Sequence, residues 1–160
     1  MKKIKLTKGQ YTLIDNEDFQ RISRYRWHAY YDKTIMSFYA RTTLYKKRIK
    51  KNITLSMHRF IMNATPKKII DHINHNTLDN RKNNLRLCNR KESARNTRKL
   101  KGVSIFKGVC LYKPRMNWRA RIRAKEKTIY LGYFNNQKQA ALAYDKAARK
   151  YYGEFAYTNF

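Results

Sequence analysis

Between Asp71 and Asn96 the chain gathers more groups able to hold a metal ion or move a proton than in any other stretch. Asp71 stands beside His72, an asparagine-rich run follows as far as Asn84, and Asn89, Glu92, Ser93 and Asn96 close the segment. An Asp–His pair at the end of a short strand, a polar turn and a return strand over 84–88 make a compact frame. Asn89, with Glu92 three residues on, fits a helix N-cap and its reciprocal partner. Strand, turn, strand and helix together can bring Asp71, His72, Asn84 and the first helical turns to one place. Any single asparagine here also reads as a turn former; it is the combination of Asp71, His72 and Asn84 that points to a site. His75 falls inside the turn and reads as a turn or phosphate-facing residue. His58 opens the apolar run Phe60-Ile61-Met62 and reads as packed against the site.

A second stretch carries a different chemistry. From Asn117 to Ala124, Trp118, Ala120, Ile122 and Ala124 alternate with Arg119, Arg121 and Arg123. At period two this makes a strand with one apolar face and one triple-arginine face. A guanidinium can pair bidentately with guanine or clamp a phosphate.

The elements that must position these groups follow from local pattern. Lys3 to Thr7 alternates at strand period, and Tyr11 to Asp15 can pair with it across Gly9. Asn16, Glu17 and Asp18 mark a helix start. Trp27 to Tyr31, Met36 to Leu44 and Ile49 to Leu55 read as a meander, with a basic cluster at Lys46 to Lys51. His58 to Asn63 is expected as a short helix before Pro66. Phe106 to Leu111 and Thr128 to Leu131 are expected to flank the arginine strand. Asn136 and Gln139 suit a helix N-cap pair, Gly153 suits its stop, and Ala140, Ala141, Ala143, Tyr144, Ala147, Ala148 and Tyr151 supply a face that can lie close on a sheet. The predicted organisation is α+β in three parts. Residues 1–55 form a β-rich lead-in, 56–97 a ββα unit, and 98–160 a three-stranded antiparallel sheet packed on one helix. A basic linker with Arg95, Arg98, Lys99 and Lys101 leads into the third part.

Composition narrows the partner. Of 160 residues, 38 are Lys or Arg and 10 are Asp or Glu, a formal charge of +28. Self-repulsion on that scale calls for a polyanion, with nucleic acid first and an anionic membrane second. No apolar run approaches the roughly 18 residues needed to span a bilayer, and the start Met1-Lys2-Lys3-Ile4 lacks a signal-peptide core. A soluble, intracellular protein is expected. Cys88 and Cys110 form no metal-type pair, which argues against a zinc knuckle.

The residues Met57-His58-Arg59, Asp71-His72 and Asn84-Leu85-Arg86 resemble the HNH endonucleases, whose site is a ββα-metal motif. That resemblance implies Asp71 as a metal ligand, His72 as the general base and Asn84 as the group holding the His72 ring. A neutral imidazole can deprotonate water near neutral pH, and a hard divalent ion can stabilise the leaving oxygen. An Asn carbonyl on Nδ1–H would leave Nε2 free for the water. The family places its last ligand where this chain has Ser93; Asn96 and Asn89 are neighbours on the helical surface that can substitute.

The residues Lys107-Gly108-Val109, Trp118, Leu131-Gly132-Tyr133-Phe134, Ala143-Tyr144-Asp145, Gly153 and Asn159-Phe160 resemble the apetala/ethylene-response-factor DNA-binding domain. That resemblance implies DNA contacts from Lys107, Arg119, Arg121, Arg123 and Tyr130. Cys110 and Tyr112 stand where family members often have arginines, so the plant target sequence does not transfer. Together the two resemblances imply a site-specific endonuclease of the homing or mobile-element type, from a phage or bacterium, in the cytoplasm. It would be a monomer acting on double-stranded DNA with magnesium or manganese. The alternative is a sequence-specific DNA-binding regulator with a decayed nuclease unit.

Overall fold

Alternation at the N-terminus does produce a hairpin. In the computed structural model, which describes residues 1–97 and 103–160, β1 (Lys2–Lys5) pairs antiparallel with β2 (Tyr11–Ile14). A 3-10 turn over Asn16–Asp18 leads into the single-turn α1 (Phe19–Ile22). The meander follows as β3 (His28–Asp32), β4 (Ser37–Lys46) and β5 (Lys51–Ser56), an antiparallel sheet with β4 in the centre. Next come α2 (Met57–Ile61), then β6 (Ile69–His72) paired with β7 (Leu85–Cys88). Leu6, Ile14, Ile22, Trp27, Ala29, Ala40, Met57, Ile61 and Leu85 form one buried core. Burial of these apolar side chains is what joins the lead-in strands to α2 and β7.

The chain divides into two compact units, Met1–Asn89 and Arg90–Phe160. The second begins with α3 (Arg90–Arg95) and continues as β8 (Val109–Tyr112), β9 (Asn117–Ala124), β10 (Lys127–Phe134) and α4 (Gln137–Tyr152). β9 is the central strand, antiparallel to both neighbours. Asn136 Oδ1 caps α4 by accepting from Lys138 N at 2.7 Å. Gly153, at φ 56°, ends it. Ala140, Ala141, Tyr144, Ala147 and Ala148 are buried; a face of mostly single-methyl side chains lets the helix sit close on the sheet. The chain is thus α+β, built of small antiparallel sheets and short helices apart from α4. No helix among the described residues is long and apolar enough to cross a membrane. Arg98, Lys99 and Lys101 of the expected basic linker lie outside the described residues.

Candidate nucleic-acid interface

In the first unit, the strand pair β6–β7 and the loop between them place the Asp–His pair. Asp71 faces Arg86 across the ladder, and its Oδ2 accepts from Arg86 Nε at 3.1 Å and Nη2 at 2.8 Å. His72 sits at the strand end and is buried. Its ring meets His58 edge-on, with centroids 5.2 Å apart, and lies 6.2 Å from Tyr39.

The loop from 73 to 84 is held by its own side chains and by β2. Asn84 Oδ1 accepts from Asn74 N at 2.9 Å, and Asn84 Nδ2 donates to the Asp79 carbonyl at 2.8 Å. Buried Asp79 takes both Arg81 Nε and Nη2 at 2.7 Å, with Asn74 Nδ2 at 2.9 Å. The Arg81 guanidinium holds the Asp79 carboxyl below the usual carboxylate range. Asn80 N donates to Leu13 O, and Leu13 N to Leu78 O, so the loop pairs with β2 like an added strand.

One chain of hydrogen bonds assigns the His72 tautomer. The Leu78 carbonyl can only accept, so the Thr12 hydroxyl donates to it, at 2.7 Å. Thr12 Oγ1 therefore accepts from Asn80 Nδ2, also at 2.7 Å. Asn80 Oδ1 is then the atom 3.3 Å from His72 Nε2, and Nε2 carries the proton. The sequence points to Asn84 as the partner of His72 and to Nε2 as the atom meeting water. In the structure the amide on Nε2 belongs to Asn80, while Asn84 closes the loop. Nothing in the sequence distinguishes Asn80, because one asparagine in an Asn-rich turn looks like any other.

Burial keeps both imidazoles neutral. It lowers His72 and holds His58 at about 3, with His72, Arg59 and Arg41 adding to the effect. The unfolded chain protonates such a ring near pH 6.5. The folded pKa is thus depressed, and because the protonated form is the one disfavoured by folding, the contribution of neutral His58 is full above pH 6.5 and is lost as pH falls toward 3. The melting midpoint of the first unit is expected to drop between pH 7 and pH 4, and His58→Gln is expected to flatten that drop. An equally steep drop in the variant would locate its source elsewhere.

The donors expected to hold a divalent metal are Asp71, Ser93 and Asn96. A hard cation takes about six oxygen ligands. Asp71 spends its carboxylate on Arg86. Ser93 and Asn96 belong to the second unit, on α3 and just after it. Among the described residues no group of three or more His, Cys, Asp or Glu side chains is placed to hold a metal ion.

In the second unit the pleat of β9 buries Ala120, Ile122 and Ala124 and turns Arg119, Arg121 and Arg123 outward. Register adds their neighbours. Arg121 pairs with Tyr130, Arg123 with Thr128, and Arg119 with Tyr133 on β10 and Cys110 on β8. A bulge between Tyr130 and Gly132 lets Tyr130 and Tyr133 share this face. The Arg119 guanidinium lies 5.4 Å from the Tyr112 ring and 5.2 Å from the Tyr130 ring. The Tyr112 and Tyr133 rings are 4.9 Å apart. The face is therefore a row of three arginines, the first of them set against tyrosine rings, a surface suited to phosphates and base edges. Lys107 stands apart from it. Its Nζ donates to the carbonyls of Arg95 and Thr97, at 2.5 and 2.7 Å, and burial lowers it to about 8.

A three-stranded sheet presenting cations on one face and backed by one helix is the architecture of an AP2 domain, and residues 104–154 match the AP2 domain family. The second unit therefore carries such a domain. Residues 64–95 match an HNH endonuclease family. Among curated relatives, the AP2-like ethylene-responsive transcription factor ANT of Arabidopsis thaliana is 47% identical over 62 residues, covering 38% of this chain and 11% of that protein. An ethylene-responsive transcription factor of the same plant is 45% identical, with 38% and 14% covered. An AP2-like ethylene-responsive transcription factor of Oryza sativa subsp. japonica is 44% identical, with 38% and 10% covered. The chain thus spans little more than a tenth of the length of these relatives.

These findings correct two expectations. The reading as a homing-type endonuclease is overturned: the relatives are named as transcription factors. A phage or bacterial origin finds no support either, since these relatives are plant proteins.

Proposed function

We infer that the chain is a sequence-specific DNA-binding regulator whose sheet β8–β9–β10 lies in the major groove of double-stranded DNA, and whose central unit is a decayed relative of a nuclease. The arginine row of β9 carries this reading. Three outward arginines on one strand, with Arg119 against the Tyr112 and Tyr130 rings, suit a groove roughly 12 Å wide. The formal charge of +28 supports a polyanionic partner, and the names of the relatives support regulation rather than hydrolysis. On this reading the Asp71–Arg86 pair and the His72–Asn80 bond are structural, tying β6 to β7 and the loop to β2.

The test starts from duplexes selected by the full chain from a random library. Arg121, at the centre of the strand, is expected to read a base. Arg121→Ala is expected to cost about 1–3 kcal/mol of discrimination at one position of the selected site, measured by gel shift against single-base variants. Magnesium is expected to leave the selected duplex intact. An unchanged preference in Arg121→Ala, with scrambled duplex bound as tightly as the selected one, would defeat the sheet as reader. Magnesium-dependent cutting that vanishes in His72→Ala would defeat the decayed unit.

A further inference from the structure

The arginine row does not end at the edge of the sheet. Arg123, its last member, also lines a cavity of about 430 Å³ formed by α3, the β9–β10 turn and the C-terminal end of α4. Lys91, Arg95, Lys107 and Lys125 line it too, with Glu126 as the one carboxylate. Five cations thus surround a space of small-ligand size with a single internal counter-charge.

Three of the cations, Lys91, Arg95 and Lys107, have partners that position them. The Arg95 guanidinium stacks on the Tyr152 ring at 4.9 Å, and the Tyr152 hydroxyl donates to the Arg123 carbonyl at 2.8 Å. Lys107 spends two of its three ammonium donors on the Arg95 and Thr97 carbonyls. Glu126 is bound by Lys91 at 2.5 Å. The two residues of the β9–β10 turn, Lys125 and Glu126, have φ of 50° and 62°, between the paired Ala124 and Lys127. Such turns favour Asn-Gly, since positive φ is costly for residues with a β-carbon. Two charged side chains in that place sacrifice turn stability, and what they gain is a position at the mouth of the cavity.

We propose that this cavity grips a backbone phosphate of the bound DNA, just beyond the segment read by the sheet, with Glu126 occupying the Lys91 ammonium until the phosphate displaces it. The proposal rests on the DNA-binding reading above. A phosphate oxygen is a stronger acceptor for guanidinium than water is, and transferring it from a counterion atmosphere to fixed cations releases ions. The site adds affinity without adding sequence preference, because a phosphate is the same beside every base.

The test measures duplex binding by the full chain at several salt concentrations, for the selected and a scrambled duplex. Arg95→Ala is expected to weaken both by the same factor, roughly threefold or more, and to reduce the slope of log K against log salt by about one. Glu126→Gln is expected to strengthen both and steepen the slope, because Lys91 is then unpaired. In parallel, pyrophosphate titrated into DNA-free protein is expected to move the amide signal of Tyr152, and to leave it in place in Arg95→Ala. Unchanged affinity and slope in both variants would overturn the proposal, while an altered preference in Arg121→Ala would leave the sheet reading standing. A pyrophosphate response with an unchanged DNA slope would also overturn it, by showing a site for small phosphate compounds instead. Failure of the wild-type chain to bind any duplex would remove the sheet reading and this one together.

Discussion

Replacing Gly108 by alanine is expected to destabilise the second unit by roughly 2–5 kcal/mol, the sum of a strained backbone and a forced repacking. Gly108 has φ +77°, and a β-carbon there would lie 1.9 Å from Cδ2 and 2.5 Å from Cγ of Tyr144. That ring cannot swing aside. It is buried on α4 among Ile122, Ala147 and Ala148, and the Gly108 carbonyl is itself held by Arg121 N at 2.9 Å. The contact is how β8 and α4 come close enough to share a core. Thermal melts of the full chain followed by near-ultraviolet circular dichroism measure the effect. Pairing Gly108→Ala with Tyr144→Leu is expected to cost less than the two changes added, since the smaller side chain removes part of the clash. A wild-type melting midpoint in Gly108→Ala would mean the close approach is absent in solution.

Asp145→Ala is expected to be comparably damaging, about 1.5–3 kcal/mol, for the opposite reason: it removes an acceptor rather than adding bulk. The Asp145 carboxylate is fully buried. It accepts from Asn159 N at 2.9 Å on both oxygens, from Asn159 Nδ2 at 2.8 Å and from Phe160 N at 2.9 Å. Asn159 passes the connection on, accepting from Lys107 N at 2.7 Å and donating to Lys107 O at 3.2 Å. One carboxylate thus ties α4 to the last residues of the chain and, through them, to the segment entering β8. Without it the backbone N–H groups of Asn159 and Phe160 lose this acceptor. Asp145→Asn is expected to fail as well, because an amide NH2 then faces donors. Limited proteolysis should cut the tail after Tyr157 far faster in either variant. A tail as resistant as that of the wild type would show that the Asn159–Lys107 bonds, the Arg149 bond to the Phe160 carbonyl and the contact of Phe160 with Phe106, at 5.3 Å between rings, hold it without the carboxylate.

What could be read from the sequence was whatever depends on neighbours along the chain. The alternation of Trp118, Ala120, Ile122 and Ala124 with three arginines is set by the pleat of a single strand, and β9 keeps it. The three strands of the meander, the cap at Asn136 and the stop at Gly153 are local in the same way. The tertiary structure alone decided which distant groups meet. Asn80, not Asn84, faces His72, because Thr12 on a strand far back in the chain fixes the orientation of the Asn80 amide. Arg86 claims Asp71 because antiparallel register sets them opposite each other. Lys107, adjacent to the sheet in sequence, turns away from the arginine row to the carbonyls at the end of α3. Period and turn chemistry act over a few residues, whereas a hydrogen-bond partner is selected by which surfaces the apolar cores bring together, and that selection is written in no single stretch of the chain.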